Sequence, residues 1–239
     1  MSISAMKHTL RLLFPAILLA TGVPSRVVAL EAQPDGSAKQ RLEAIEWCDI
    51  WQPNQTKSGL PRVLLIGDSI TRGYYPLVQR NLGGKALVDR LSSSAFVSDP
   101  MLLAQVAMVL DNTHYDIVHF NNGMHGWQHS EEEYRAGFPA LVETIRKHAP
   151  SAKLIWAATT PLKASVPVKP GDPRVSDERI AARNAIALEI VKPQGIAVDD
   201  LYTPMLGHPE LHADNVHFNP KGVALQGKQV ADEIAKQLK

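Results

Sequence analysis

Ser69 stands where an apolar run, Val63-Leu64-Leu65-Ile66, gives way to an amphipathic stretch through Gly67-Asp68-Ser69-Ile70-Thr71. A serine leaving a strand and entering a helix turns its hydroxyl toward the crevice beyond the strand ends, with its own N–H unpaired. A hydroxyl is a poor nucleophile until a base takes its proton, so such a serine calls for a histidine. One stands near the other end of the chain, in His212-Ala213-Asp214-Asn215-Val216-His217-Phe218-Asn219-Pro220. Asp214 and His217 are three residues apart. In a compact turn the carboxylate can accept from the imidazole Nδ1–H, fix the tautomer and leave Nε2 free as base. Each segment alone has a plainer reading: Ser69 as a helix cap, Asp-x-x-His as a solvated turn. Together they are the parts of a Ser-His-Asp nucleophile system, provided the fold brings them to one edge.

The elements that would do so are legible from Pro61 onward. Short apolar runs recur at Val63–Ile66, Ala86–Val88, Ile117–Phe120, Leu154–Ala157 and Ile196–Val198. Most are continuous rather than alternating, the pattern of parallel strands covered on both faces. Between them lie amphipathic stretches with helix start signals: Asp99-Pro100, Asn219-Pro220, and a capping box in Ser130-Glu131-Glu132-Glu133 ahead of Tyr134, Phe138, Leu141 and Ile145. Ser176 is a cap for a helix through Lys192, which Pro193 and Gly195 end. Five such units predict one three-layer α/β/α domain over residues 61–239 with a five-stranded parallel sheet. In such sheets the ligand crevice lies beyond the carboxyl ends of the strands, which is where Ser69 falls.

Ahead of that domain the composition changes. Lys7 and Arg11 precede Leu12-Leu13-Phe14-Pro15-Ala16-Ile17-Leu18-Leu19-Ala20, and Val27-Val28-Ala29 offers small residues for cleavage. Residues 1–29 therefore read as a secretory signal peptide and the protein as exported, periplasmic or extracellular. The run is shorter than the roughly 20 residues a membrane span needs, so no stable anchor is expected after cleavage. Residues 30–60 read as an irregular extension broken by Pro34, Gly36, Pro53 and Gly59, with one short helix over Lys39–Trp47. Loss of Lys7, Arg11 and Arg26 with the leader takes the net charge from +1 to −2. No basic stretch then remains to suggest nucleic acid as a partner. The single cysteine, Cys48, cannot form an internal disulfide and reads as a packing residue.

Gly67-Asp68-Ser69-Ile70 followed by a late Asp214-x-x-His217 resembles the SGNH (GDSL-type) hydrolases over Pro61 to Lys239. The resemblance implies a flavodoxin-like α/β/α fold and ester hydrolysis through an acyl-enzyme with no metal or other cofactor. It casts Ser69 as nucleophile, His217 as base and Asp214 as its orienter, with Asp68 as a loop-shaping residue. The family's oxyanion donors map onto the Ser69 N–H, the Ser94 N–H and the Asn121 side chain. Ser94 stands where the family has glycine. Asn121 matches the Gly-x-Asn-Asp block if His119 replaces its glycine, with Asn122 in reserve. Trp127 and His125 fall near the crevice as candidate substrate contacts, Trp127 reading equally as a packed tryptophan. A zinc site built from His125, His129, His208, His212 and His217 matches no standard spacing and would compete for His217, so no metal is expected. The family includes carbohydrate O-deacetylases, so the expected substrate is a small-molecule or glycan ester with a short acyl group. A lysophospholipase, a thioesterase and a non-catalytic glycan-binding domain are the alternatives.

Overall fold

The computed structural model describes residues 41–53, 55–164 and 175–238. The expected signal peptide lies outside them. The sheet has six strands: β1 (Cys48–Trp51), β2 (Arg62–Gly67), β3 (Leu87–Ser93), β4 (Ile117–Phe120), β5 (Lys153–Ala157) and β6 (Ala197–Asp199), in the order β1-β3-β2-β4-β5-β6. Strands β2 to β6 pair in parallel and β1 runs antiparallel to β3 at the edge. Among the described residues four α-helices connect the strands from β2 to β6, α1 (Ser69–Asn81), α2 (Pro100–Asn112), α3 (Glu131–His148) and α4 (Asp177–Val191), and α5 (Pro220–Gln237) follows β6. Among the described residues no helix is long and apolar enough to cross a membrane.

Successive side chains of a strand point to opposite faces, and the core divides accordingly. Leu64, Ile66, Val118, Phe120 and Trp156 pack with α2 and α3 through Leu102, Val106, Tyr134, Phe138, Leu141 and Ile145. Val63, Leu65, Val88, Ile117 and Ile155 pack on the other face with α1 and α5 through Tyr74, Val78, Val230 and Ile234. Burying each such aliphatic or aromatic side chain contributes about 1.5–3 kcal/mol, which makes the two layers the main source of stability. Local signals agree. Glu133 N–H donates to Ser130 Oγ at 3.2 Å and Ser130 N–H to Glu133 Oε2 at 2.8 Å, closing the capping box of α3.

Two expectations need correction. The sheet gains a sixth strand because β1 arises inside the segment read as irregular, where Arg90 of β3 donates to Asp49 of β1 at 2.6 Å. Residues 41–47 carry no helix. Their polar groups bind the domain instead: Trp47 N–H donates to Ser94 Oγ at 2.8 Å, and Ser94 Oγ–H to Glu46 Oε2 at 2.6 Å. The extension therefore contributes a strand and a lining segment to the domain. Leu91, Ser92 and Ser93, read as lying beyond the second apolar run, belong to β3 itself.

Candidate active site

Ser69 is the first residue of α1, directly beyond β2. Its alternative role as the helix cap is filled by Asp68, a buried residue whose Oδ1 accepts from Ile70 N–H at 2.8 Å. The Ser69 hydroxyl lies instead 2.9 Å from His217 Nε2. As the opening residue of a helix, Ser69 also has no intrahelical partner for its N–H.

His217 and Asp214 sit in the turn ahead of α5. That turn is closed by an isolated bridge between His212 and Phe218 and by Ala213 N–H donating to His217 O at 2.8 Å. Asn219 caps α5, accepting from Lys221 and Gly222 N–H, and its own amide donates to Glu210 O at 2.7 Å. Held from both ends, the loop directs Asp214 Oδ2 to His217 Nδ1 at 2.9 Å. Asp214 Oδ1 accepts the N–H of His217 at 2.7 Å and of Val216 at 2.8 Å. These bonds, led by the His217 N–H, hold the Asp214 carboxyl down at about 2. A charged carboxylate on Nδ1 makes that nitrogen the protonated one and leaves Nε2 with its lone pair toward Ser69. The chain Ser69 Oγ, His217 Nε2, His217 Nδ1, Asp214 Oδ2 is continuous.

The other oxyanion candidates, Ser94, Asn121 and the reserve Asn122, have partners inside the protein. Ser94 N–H donates to Trp47 O at 3.1 Å, so β1's lead-in segment occupies it. The Asn121 amide donates to Ala157 O at 2.7 Å and to Thr159 Oγ1 at 3.0 Å, which uses both of its hydrogens inside the protein. Asn122 Nδ2 donates to Ala95 O at 3.0 Å. Trp127 is packed: its indole N–H donates to Met124 O at 2.6 Å, and the Arg183 and Arg179 guanidiniums lie 4.0 and 5.0 Å from its ring centroid.

Sequence reasoning missed the support of the loop after β4. Arg183 of α4 is fully buried and donates to the carbonyls of Gly123, His125, Gly126 and His129. Burial brings it down to about 10, which leaves it cationic at neutral pH. Gly126 has φ +71°, and a side chain there would meet the Phe96 ring. From the far side Glu43 closes the loop: Oε1 accepts from Gly126 N–H at 2.8 Å and Oε2 from His125 Nδ1–H at 3.0 Å. The fourfold arginine contact had one faint sequence signal, a cation in the apolar face of a helix. Glu43 had none. Among the described residues, no three His, Cys, Asp or Glu side chains gather as metal ligands.

A three-layer α/β/α domain with a serine, a histidine and a carboxylate in line at the strand ends has the architecture of an acyl-transfer hydrolase. A sequence model described as the GDSL-like lipase/acylhydrolase family matches residues 65–225, and the chain belongs to that family. It is accordingly a carboxylic ester hydrolase by class. Solved structures share the fold at low identity. A GDSL-like lipase from Bacteroides thetaiotaomicron matches with TM-score 0.60 and 19% identity over 73% of this chain and 88% of its own. A carbohydrate esterase family 3 protein from Talaromyces cellulolyticus gives 0.59 and 19% over 75% and 98%. A carbohydrate acetylesterase from Sinorhizobium meliloti gives 0.59 and 17% over 74% and 99%. No curated protein matches the chain in sequence.

Proposed function

We propose that the chain is an exported serine esterase that removes short acyl groups, such as O-acetyl on carbohydrate, through an acyl-enzyme on Ser69. The observation that carries this reading is the 2.9 Å and 2.9 Å relay from Ser69 through His217 to Asp214. His217 Nε2 takes the Ser69 proton as Oγ attacks the acyl carbon. The Oγ–C bond forms and the carbonyl π pair moves onto oxygen, facing the Ser69 N–H at the helix start. Asp214 stabilises the imidazolium. Collapse breaks the bond to the alcohol oxygen, which leaves with the proton from His217. Water then gives a proton to His217, attacks the acyl carbon, and releases the acid and the free Ser69 hydroxyl.

The preference for short acyl groups on hydroxyl-rich substrates draws on the polar surroundings of Ser69 and on the carbohydrate esterases among the structural neighbours. Residues 1–29 serve as the signal peptide in this reading, on the strength of their basic start, short apolar run and Val27-Val28-Ala29. Aryl esters of graded acyl length, with acetylated oligosaccharides alongside, test the substrate class. The expected result is kcat/KM falling steadily beyond short acyl chains. A preference for long acyl chains would point to a lysophospholipase or thioesterase instead.

A further inference from the structure

Both Asn121 hydrogens and the Ser94 N–H are engaged inside the protein, and Asn122 Nδ2 donates to Ala95 O. The loop after β4 offers another candidate. Gly123-Met124-His125 is a Gly-x-His sequence two residues beyond Asn121, and reading the family's Gly-x-Asn block from Gly123 puts His125 at its third position. The glycine is required there, because a Cβ at Gly123 would lie 2.1 Å from Thr159 Oγ1. β4 is the sheet neighbour of β2, whose end carries Ser69. The imidazole meets the Trp47 ring edge-on at 6.0 Å, and Trp47 in turn lies under Arg72, 5.2 Å from its guanidinium. Asp68, the residue before Ser69, is close enough to act on the His125 charge. His125 is thereby linked through Trp47 to Arg72 of α1 and lies within electrostatic reach of Asp68, the residue before the nucleophile.

We propose that His125, as an imidazolium positioned by Glu43, donates its Nε2–H to the oxyanion in place of the family's asparagine. This rests on the serine-esterase reading above. Nδ1–H is committed to Glu43, so Nε2 can donate only when the ring carries both protons. Glu43 supplies the counter-charge, and it lies outside the residues 65–225 shared with the family. The groups facing the imidazole are Glu43 and Glu46 of the leading segment, Asp68 of the β2–α1 junction, and Arg183 of α4 on the loop's carbonyls. Burial works against the charged ring, but the Glu43 bond and the charges of Asp68, Glu43 and Glu46 outweigh it and raise its pKa. The donor is accordingly present below that raised value and lost as pH rises through it. No proton leaves His125 during turnover: the bond strengthens as the carbonyl π pair becomes an oxygen lone pair, and weakens when the tetrahedral centre collapses.

The test compares wild type, His125→Ala, His125→Asn, Glu43→Gln and Ser69→Ala on an aryl acetate across pH, with thermal unfolding of each. His125→Ala should lower kcat roughly 10²–10³-fold with KM little changed. His125→Asn, an amide donor with no proton to lose, should recover to within about tenfold of wild type and lack the alkaline limb. Glu43→Gln should move that limb to lower pH. If folded His125→Ala keeps more than a third of wild-type kcat, or if His125→Asn does no better than His125→Ala, the proposal is overturned while the triad stands. If wild type is no faster than Ser69→Ala, the esterase reading fails and the proposal with it.

Discussion

The carboxylate of Asp68 caps the helix that Ser69 opens, and this frees the Ser69 hydroxyl for His217. Two adjacent residues divide two tasks that compete for one oxygen: satisfying the helix terminus and attacking a carbonyl. A serine that capped its own helix would aim Oγ back at the backbone.

Asp68→Ala should therefore cost about 1 kcal/mol of stability through the lost cap. It should also lower kcat, because the Ser69 hydroxyl becomes the nearest substitute acceptor for the helix N–H groups. Asp68→Asn should keep the stability, since an amide oxygen caps as well. Urea unfolding and steady-state kinetics on both variants check this; equal stability in Asp68→Ala would remove the capping argument.

Asp214 is depressed to about 2, so the bond that orients His217 persists well below neutral pH. The sign follows for stability too. A depressed carboxyl contributes above its ordinary range and loses that contribution as pH falls toward 2, and here the pair is exposed and the contribution small. Asp214 should then contribute no proton to an acid loss of activity above roughly pH 4. A plot of log kcat/KM against pH should fall with a slope of about one down to roughly pH 4. A slope of two would mean that Asp214 titrates as well.

Arg183 joins four carbonyls of one loop from inside the core. Arg183→Met should cost roughly 3–5 kcal/mol, since it strands those carbonyls around an apolar side chain. Arg183→Lys should recover little, because an ammonium cannot spread donors as a guanidinium does. Chemical denaturation measures both, and a loss under about 1 kcal/mol in either would show that the loop is held by other contacts.

Much of this was legible in the sequence because its signals are local. Ser69, Asp214 and His217 sit at element boundaries marked by apolar runs and by Asn219-Pro220, and parallel strands announce themselves as continuous apolar runs. What was not legible is held by distant partners. β1 is a four-residue edge strand whose exposed ends, Cys48 and Trp51, give no apolar run, and its register depends on Arg90 some 40 positions away. Both Asn121 amide hydrogens are taken by Ala157 O and Thr159 Oγ1 at the end of the neighbouring strand, which no local pattern records. The Glu43–His125 pair spans 82 positions and joins a segment of no visible periodicity to a loop.

Export makes its own prediction. The mature chain should begin at or close to Leu30, after Val27-Val28-Ala29. N-terminal sequencing of protein from the host's extracytoplasmic fraction is the check. Full-length chain confined to the cytoplasm would contradict it.

The central claim is that ester hydrolysis proceeds through an acyl-enzyme on Ser69, and the most direct measurement is turnover of a short-chain aryl ester by wild type and by Ser69→Ala. Removal of one hydroxyl at the start of α1 leaves the Asp68 cap and the core untouched, so the two proteins should unfold at the same temperature. Ser69→Ala should lower kcat on the order of 10³-fold or more, and the Ser69 peptide of rapidly quenched wild type should gain the mass of one acyl group. A folded Ser69→Ala protein that keeps more than a tenth of wild-type kcat would contradict it.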